Sequence, residues 1–275
     1  MFINNIPSTL VVGSFEVHYY SLFFAFGVIL NYLILEKLWK KNGWSPKILD
    51  SAVIYLFFGL VIGARLGEVF FYNPEYYLSD PVKILKIWEG GLSSHGATIG
   101  LIVAYVMFLL KEKHKKHGGL KENFLKYADV LALPMPLTAA LVRIGNFFNS
   151  EIVGRATDSP LGVVFAKNGE NFARHPAQLY EGALLMFIFI ILSLTFLRKR
   201  RPNGLILFLF IGLYFLGRFF LEFFKEYQTD MESLLPWDLT MGQALSIIPV
   251  LIALGYFIYI FARFARVNCA RRKRA

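Results

Sequence analysis

The sequence predicts an all-α polytopic membrane protein with seven transmembrane helices, and three observations support this fold class. Hydrophobic residues make up 56% of the 275 residues, aromatic residues 17%, and the mean hydropathy is +0.51, which is too apolar for a soluble domain. A helix needs roughly 20 residues to cross a bilayer. Several stretches near that length contain no Asp, Glu, Lys or Arg; they are 18–35, 92–110 and 239–262. Because lipid offers no partner for backbone N–H and C=O groups, such stretches are expected to be helical.

The basic residues orient these helices. The predicted spans are 18–36, 49–71, 93–111, 127–148, 176–197, 204–224 and 240–262. If the N-terminus is outside, 20 of the 29 Lys and Arg residues fall in cytoplasmic segments and six in outer segments. The positive-inside rule therefore predicts an N-out, C-in protein. The whole chain, 1–275, is expected to be one integral membrane domain, and residues 149–175 a small extracytoplasmic head subdomain between spans 4 and 5.

The net charge of +10 does not indicate a nucleic-acid partner, because its placement is explained by membrane topology. The single cysteine, Cys269, excludes a disulfide within the chain and a cysteine-based metal site. No metal and no cofactor is expected.

The second span carries Arg65 and Glu68 near its outer end. Their spacing allows an ion pair that reduces the cost of burial, and it equally allows Arg65 to contact a ligand. Residues 73–91 are interrupted by charges and are predicted to lie at the membrane interface. His95 then stands among glycines at the start of the third span, where a helix cap or a buried polar group is the plain alternative to a catalyst.

Residues 141–155 end the fourth span with an unusual density of polar groups. Arg143 and Asn146 are three residues apart and share one helical face, Glu151 and Arg155 follow, and Gly154 leaves room for close backbone approach. Charge at the end of an apolar helix indicates a functional site. The alternative is an interfacial helix end from which Arg143 reaches the headgroups.

Residues 156–174 form the longest outer segment without membrane character, and their short alternating pieces predict a partly β subdomain. In the sixth span, Tyr214, Arg218 and Glu222 recur at i, i+4 and i+8, which places them on one stripe. That stripe indicates either a binding site or an Arg218–Glu222 ion pair that serves packing.

The charged and polar residues of different spans gather in the outer half of the predicted membrane domain, which indicates a shared cavity; they are Arg65, His95, Arg143, Glu151, His175, Arg218 and Glu222. Forked guanidinium groups directed at one point favour phosphate or carboxylate. An anionic group at membrane depth beside apolar walls indicates a phospholipid substrate.

The sequence resembles the bacterial prolipoprotein diacylglyceryl transferase family over nearly its whole length. Its most specific match is residues 143–155, which look like the family signature. Residues 94–96, 175–181, 214–222 and 241–243 also match in order and spacing. Two residues depart from the family pattern: Ala97 replaces a second glycine after the histidine, and Ser21 replaces a glycine after Tyr20.

The resemblance implies an enzyme of the bacterial cytoplasmic (inner) membrane whose active site faces the outer side. It would transfer the diacylglyceryl group of phosphatidylglycerol to the lipobox cysteine thiol of prolipoprotein signal peptides, forming a thioether and releasing glycerol phosphate. The implied catalytic residues are His95, Arg143, Arg218 and Tyr214. The implied substrate-binding residues are Tyr20, Arg65, Asn146, Glu151, Gly154, Arg155 and Glu222. A transporter or channel for an anionic solute is the alternative, with the same arginines as its binding site.

Overall fold

A computed structural model describes residues 2–112, 120–198, 201–226 and 239–272. These residues are mostly helical, with a few short strands. The chain forms two compact units. The first unit comprises Met1–Ile34 and Ala128–Ala275, and the second unit comprises Leu35–Tyr127.

The helices of the described residues are α1 Tyr19–Lys41, α2 Pro46–Gly67, α3 Pro74–Ser79, α4 Val82–Leu85, α5 Ser94–Glu112, α6 Leu120–Ala132, α7 Met135–Asn149, α8 Ala177–Phe196, α9 Leu205–Leu221 and α10 Met241–Arg272. A π-helical turn, Glu68–Tyr72, continues α2. Short 3₁₀ turns occupy Ile87–Glu89, Ala166–Asn168 and Glu222–Phe224.

Every predicted span coincides with helical structure. Among the described residues, six helical stretches are long and apolar enough to cross a membrane: Tyr19–Lys41, Pro46–Tyr72, Asn123–Asn149, Ala177–Phe196, Leu205–Phe224 and Met241–Arg266. The apolar helix at the predicted third span, His95–Lys111, is shorter than these six. The structure thus confirms a mostly helical chain with several candidate spans, and the number seven stays a prediction.

The fourth span consists of two helices, α6 and α7, rather than one. The break falls at Leu133 and Pro134, and Pro136 follows in the first turn of α7. Proline has no N–H for the helical ladder and its ring clashes with the preceding turn, so the helix restarts here.

Asp129, near the end of α6, caps the start of α9. Its buried carboxylate accepts hydrogen bonds from the backbone N–H groups of Gly204, at 2.8 Å, and Leu207, at 3.0 Å. The first N–H groups of a helix have no partner within the helix, and they favour a negative charge. The capping bonds offset the cost of placing a carboxylate inside an apolar helix.

We expect Asp129→Ala to lower the free energy of unfolding by about 0.5–2 kcal/mol, the usual cost of losing a helix cap. Thermal unfolding in detergent measures this loss. Asp158→Ala, at an exposed position of the outer segment 156–174, is the matched control and is expected to change stability little. Equal melting temperatures for the two variants would contradict the capping role.

The first unit contains a small three-stranded sheet of order β1–β4–β5, with β1 Phe2–Asn4, β4 Val163–Phe165 and β5 Ala173–Arg174. β1 runs parallel to β4 with Phe2 opposite Val163, and β5 pairs antiparallel to β4. Beneath it, Phe147 packs with Val163 and Phe165 in a buried cluster. The Asn4 side chain is fully buried and donates to the carbonyl of Phe147 at 2.8 Å. The sheet therefore rests on the end of α7.

A hairpin precedes α1. Its strands are β2 Thr9–Val12 and β3 Phe15–His18, paired antiparallel with Thr9 opposite His18. The turn between them contains Gly13 at φ 64°, a conformation that glycine adopts without steric cost. The sequence analysis predicts no strand before the first span, so the strands β1, β2 and β3 are additions from the structure.

In the second unit, α2 and α5 pack against each other at backbone distance. Small residues at intervals of four face each other along the two helices: Gly59, Gly63 and Gly67 on α2, and Gly96, Gly100 and Ala104 on α5. A Cβ atom built on Gly63 would lie 2.7 Å from the Cα of Gly100, so no larger side chain fits without separating the helices. This is the small-residue packing by which membrane helices approach closely.

Candidate functional site

The end of α7 presents a bridged set of polar side chains. Arg143 donates from Nη1 to Oδ1 of Asn146 at 3.2 Å, and Nδ2 of Asn146 donates to Glu151 at 3.1 Å. Nδ2 of Asn149 donates to the other Glu151 oxygen at 3.0 Å. An amide suits the place of Asn146 because it accepts from a cation on one side and donates to a carboxylate on the other.

The backbone after α7 turns sharply and brings Glu151 back over the helix end. Ser150 has φ 58° and Ile152 has φ 55°, both in the left-handed region that few side chains adopt. The backbone N–H of Glu151 donates to the carbonyl of Asn146, and Gln178 on α8 donates to the carbonyl of Glu151. Such strained positions cluster at functional sites.

Five charged side chains of the first unit form a chain of alternating sign. Arg143 pairs through Nε with Glu181, and Glu181 also pairs with Lys225. Nζ of Lys225 lies 2.8 Å from Oε1 of Glu222, and the same oxygen lies 3.4 Å from Nε of Arg218. Each carboxylate therefore has a cation on both sides, which is the arrangement that makes buried charge tolerable.

The two ends of this chain differ from its middle. The side chains of Glu181, Glu222 and Lys225 are at most 6% exposed, whereas those of Arg143 and Arg218 are 19% and 32% exposed. Both arginines form their ion pairs through Nε, and Tyr214 is a further partner of the Arg218 guanidinium. A guanidinium held in this way is preorganised to bind an anion with its remaining N–H groups.

Gly154 allows three segments of backbone to meet beside the charge chain. Its N–H donates to the carbonyl of His175 at 2.9 Å, while the N–H of Arg155 donates to the carbonyl of Phe224 at 2.9 Å. A Cβ atom on Gly154 would lie 2.5 Å from the Phe224 oxygen and 2.6 Å from the His175 oxygen. Glycine is required here for close approach, as its position in the sequence predicted.

Arg155 fixes the position of Lys225. Its Nε donates to the carbonyl of Lys225 at 2.7 Å, just beyond the end of α9. The guanidinium of Arg155 thereby holds the backbone from which Lys225 reaches both buried carboxylates.

Arg174 anchors the outer segment on the other side of Gly154. Its Nε donates to Glu170 at 2.6 Å, and its Nη1 donates to Glu226 at 2.7 Å and to the carbonyl of Gly154 at 3.2 Å. The hydrogen bond to Glu170 is the largest cause that raises the pKa of Arg174 above its ordinary value. Arg174 thus stays charged at every physiological pH.

Two tyrosines of the predicted site lie close to the charge chain. Tyr20 packs against Gly145 of α7 and interacts electrostatically with Glu151 and Arg143. Tyr214 interacts electrostatically with Arg218, one turn further along α9. The first unit therefore brings together nine of the predicted residues: Tyr20, Arg143, Asn146, Glu151, Gly154, Arg155, Tyr214, Arg218 and Glu222.

Arg65 belongs to the second unit, where backbone oxygens surround its buried guanidinium. It donates to the carbonyls of residues 83, 84, 86, 90 and 91 at 2.5–3.0 Å and to the hydroxyl of Tyr77 at 3.1 Å. The predicted pair with Glu68 is not among the contacts of the described residues, since Glu68 accepts from Asn73 at 2.7 Å instead. Arg65 thus organises the connection of residues 83–91, and its contact with substrate stays a prediction.

His95 also belongs to the second unit, in the first turn of α5. Ser93 caps this helix, because its Oγ accepts from the N–H of Gly96 at 3.2 Å. Its carbonyl oxygen accepts from the N–H of Ala97 at 2.9 Å. The His95 side chain is exposed, and its Nδ1 lies 2.9 Å from the hydroxyl of Tyr72. The capping role that the sequence left open for His95 is thus filled by Ser93.

Comparison with known proteins identifies the family. The family model described as prolipoprotein diacylglyceryl transferase matches residues 7–259. The chain belongs to this family. The resemblance seen in the motifs of the sequence is thereby confirmed.

Curated relatives extend over nearly the same length. A phosphatidylglycerol–prolipoprotein diacylglyceryl transferase of Tolumonas auensis is 41% identical over 234 residues, 85% of this chain and 88% of the relative. Relatives of the same name from Wolbachia pipientis subsp. Culex pipiens and Cupriavidus pinatubonensis are each 37% identical. They cover 95% and 94% of this chain and 97% and 93% of their own lengths.

In this family member the structure adds two residues that the sequence analysis did not place in the site. Glu181 appears there only within the matching motif of residues 175–181, and Lys225 only as one of the six basic residues of the outer segments. Lys225 follows Glu222 by three residues, so it extends the stripe of Tyr214, Arg218 and Glu222 by another turn. That spacing was the signal available for Lys225, whereas the partners of Glu181 lie in distant segments of the chain.

Proposed function

We propose that this protein transfers the diacylglyceryl group of phosphatidylglycerol to the thiol of the lipobox cysteine in prolipoproteins. The names of its relatives specify phosphatidylglycerol and prolipoprotein as the substrates of those enzymes. The observation that carries the proposal in this chain is the buried charge chain with partly exposed guanidinium groups at both ends. Those two groups match the negative charge that the leaving phosphate acquires.

The reaction is a displacement at one carbon of glycerol. The cysteine sulfur forms a bond to the glyceryl carbon that carries the phosphate ester, and the bond from that carbon to the ester oxygen breaks. The thiol gives up its proton to a base, and glycerol phosphate leaves with the electrons of the broken bond. Since a thiol of pKa about 8.5 is mostly protonated at neutral pH, a base accelerates the step.

The proposed roles follow from the contacts of each residue. Arg143 and Arg218 stabilise the phosphate charge, and Glu181, Glu222 and Lys225 hold the two guanidinium groups in place. His95 removes the thiol proton, a role that its exposed imidazole, free of helix capping, permits.

The remaining residues of the proposal orient these groups or the substrates. Asn146 and Glu151 orient Arg143, and Gly154 and Arg155 hold the backbone of Lys225. Tyr20 and Tyr214 bind the substrates, and Arg65 supports the segment before His95.

The transporter alternative is not favoured by the family or by the names of the relatives. Transport would need the same arginines but no base and no thiol.

Incubation of the purified protein with phosphatidylglycerol vesicles and a lipobox peptide tests the proposal. Mass spectrometry is expected to detect a peptide enlarged by one diacylglyceryl group, together with released glycerol phosphate. A peptide with serine in place of the cysteine and vesicles of phosphatidylethanolamine are the controls, and both are expected to give no product. A wild-type protein that forms no thioether under these conditions would overturn the function.

We further propose that the chain crosses the bacterial inner membrane seven times, N-terminus outside and C-terminus inside, with the site towards the outer side. The charge asymmetry of the segments between the helices supports this orientation. Residues 149–175 form the extracytoplasmic head subdomain within one integral membrane domain. In support, β4 and β5 lie in this segment, and the short sheet packs on the end of α7.

Reporter fusions measure this topology. Fusions after residues 40, 115, 200 and 270 are expected to report cytoplasm, and a fusion near residue 165 is expected to report the outside. A cytoplasmic signal at residue 165 would refute both the orientation and the outer position of the site.

A further inference from the structure

A tyrosine that the proposed function does not use contacts the imidazole of His95. The hydroxyl of Tyr72 lies 2.9 Å from Nδ1 of His95, and both residues belong to the second unit. Tyr72 is the last residue of the π-helical turn Glu68–Tyr72 that ends the second predicted span. Such turns are rare and frequent at functional sites, because one extra residue in the turn redirects the side chains that follow.

The surroundings of this pair hold both partners in place. The buried Arg65 ties the connection of residues 83–91 to α2 through five carbonyl groups. The N–H of Ser93 donates to the carbonyl of Ala64 at 2.9 Å, which fastens the start of α5 to the end of α2. Gly96, the residue after His95, packs against the backbone of Gly63 and Gly67. The backbone under His95 and the helix that ends in Tyr72 therefore form one packed body.

The chemistry of the imidazole gives this contact a consequence. A neutral histidine has one N–H group and one free nitrogen, and the hydrogen bond that one nitrogen makes decides which nitrogen is free. If the Tyr72 oxygen accepts from Nδ1–H, the free nitrogen is Nε2. After Nε2 takes the thiol proton, the same Nδ1–H bond persists and stabilises the imidazolium. One contact thus serves the histidine both before and after proton transfer.

We propose that Tyr72 is a positioning residue for His95 in the transfer reaction. Its hydroxyl holds the imidazole in the Nδ1–H tautomer and directs Nε2 towards the incoming thiol. The inference rests on the proposed function for its kinetic consequence, while the hydrogen bond itself is independent of that function. Nucleophile activation commonly uses this arrangement, in which a third group orients the base.

Tyr72→Phe tests the role because it keeps the ring and removes only the hydroxyl. We expect kcat of diacylglyceryl transfer to fall roughly 10- to 100-fold, by analogy with the loss of the partner that orients a metal-bound histidine. The KM for phosphatidylglycerol is expected to stay unchanged. Tyr76→Phe, at another exposed tyrosine of the second unit, is the matched control and is expected to retain wild-type kcat.

Two further measurements separate positioning from a structural effect. In a His95→Asn background, Tyr72→Phe is expected to cause no additional loss, because it acts through the histidine. The ¹⁵N spectrum of protein labelled at histidine, assigned by comparison with His95→Asn, is expected to show the Nδ1–H tautomer of His95 in the wild type and less of it in Tyr72→Phe.

Each outcome decides the matter. Wild-type kcat in Tyr72→Phe overturns the inference, and so does an equal loss in both backgrounds or an unchanged tautomer. A wild-type protein that forms no thioether refutes the proposed function instead, and the ¹⁵N spectrum then still tests the hydrogen bond.

Discussion

His95→Asn is expected to reduce diacylglyceryl transfer by at least about 100-fold, because a positioned base typically contributes about 10²–10⁴-fold. The amide of asparagine retains a polar side chain but accepts no proton near neutral pH. The variant is expected to remain folded, since Ser93 and not His95 caps α5. Steady-state transfer to a lipobox peptide in phosphatidylglycerol vesicles measures the loss.

His18→Asn is the matched control, because His18 is another exposed histidine outside the proposed site. It is expected to retain wild-type turnover. Raising the pH towards the thiol pKa of about 8.5 supplies thiolate without a base, so the deficit of His95→Asn is expected to shrink there. Full activity of His95→Asn at neutral pH would falsify the catalytic role, and the base would then be sought at Tyr214 with Arg218.

The helices were predictable because each apolar stretch satisfies its own backbone. A segment such as 239–262 has no charged residue and must form its hydrogen bonds internally in lipid, so its sequence alone predicts a helix there, and α10 continues beyond it to Arg272. The same local reasoning placed Arg143 and Asn146 on one face of α7, and the structure confirms this with a direct hydrogen bond. Both conclusions depend only on neighbours within a few residues.

Contacts between distant segments left no such local pattern. β1 pairs with β4 across about 160 residues of chain, and the alternating pieces of residues 156–174 predict strands without indicating β1 as a partner. Asp129 was read as part of an apolar span, yet it serves the first turn of α9. Glu181 likewise acquires its role only when Arg143 and Lys225 approach from other segments of the chain.

Arg65 shows why residue spacing alone gave an incomplete interpretation. Its position three residues before Glu68 allowed an ion pair, but Glu68 accepts from Asn73, the residue that follows the π-helical turn Glu68–Tyr72. The carbonyl groups of the following connection provide the partners instead. Since the turn and the irregular connection are rare conformations, the sequence carried no pattern that indicated either one.

Arg218→Lys is expected to reduce kcat roughly 100- to 1000-fold, as in sites that lose one preorganised donor to a developing oxyanion. Glu222 pairs with Nε of Arg218 and Tyr214 is a further hydrogen-bond partner of its guanidinium, and we expect the partly exposed planar group to meet the phosphate with its remaining N–H groups. Lysine keeps the charge, but its single ammonium group cannot contact Glu222 and the phosphate with the same fork. The loss is therefore expected even though the net charge of the site is unchanged.

Turnover measured at saturating phosphatidylglycerol, together with the amount of protein in the membrane, tests this expectation. Arg201→Lys is the matched control. Arg201 lies just before the same helix and donates to backbone oxygens, but it has no part in the charge chain. Arg218→Ala is expected to be at least as impaired as Arg218→Lys. Normal kcat in Arg218→Lys, at normal protein levels, would show that catalysis requires only a positive charge at this position. Normal kcat in Arg218→Ala would leave Arg218 only a packing role beside Glu222.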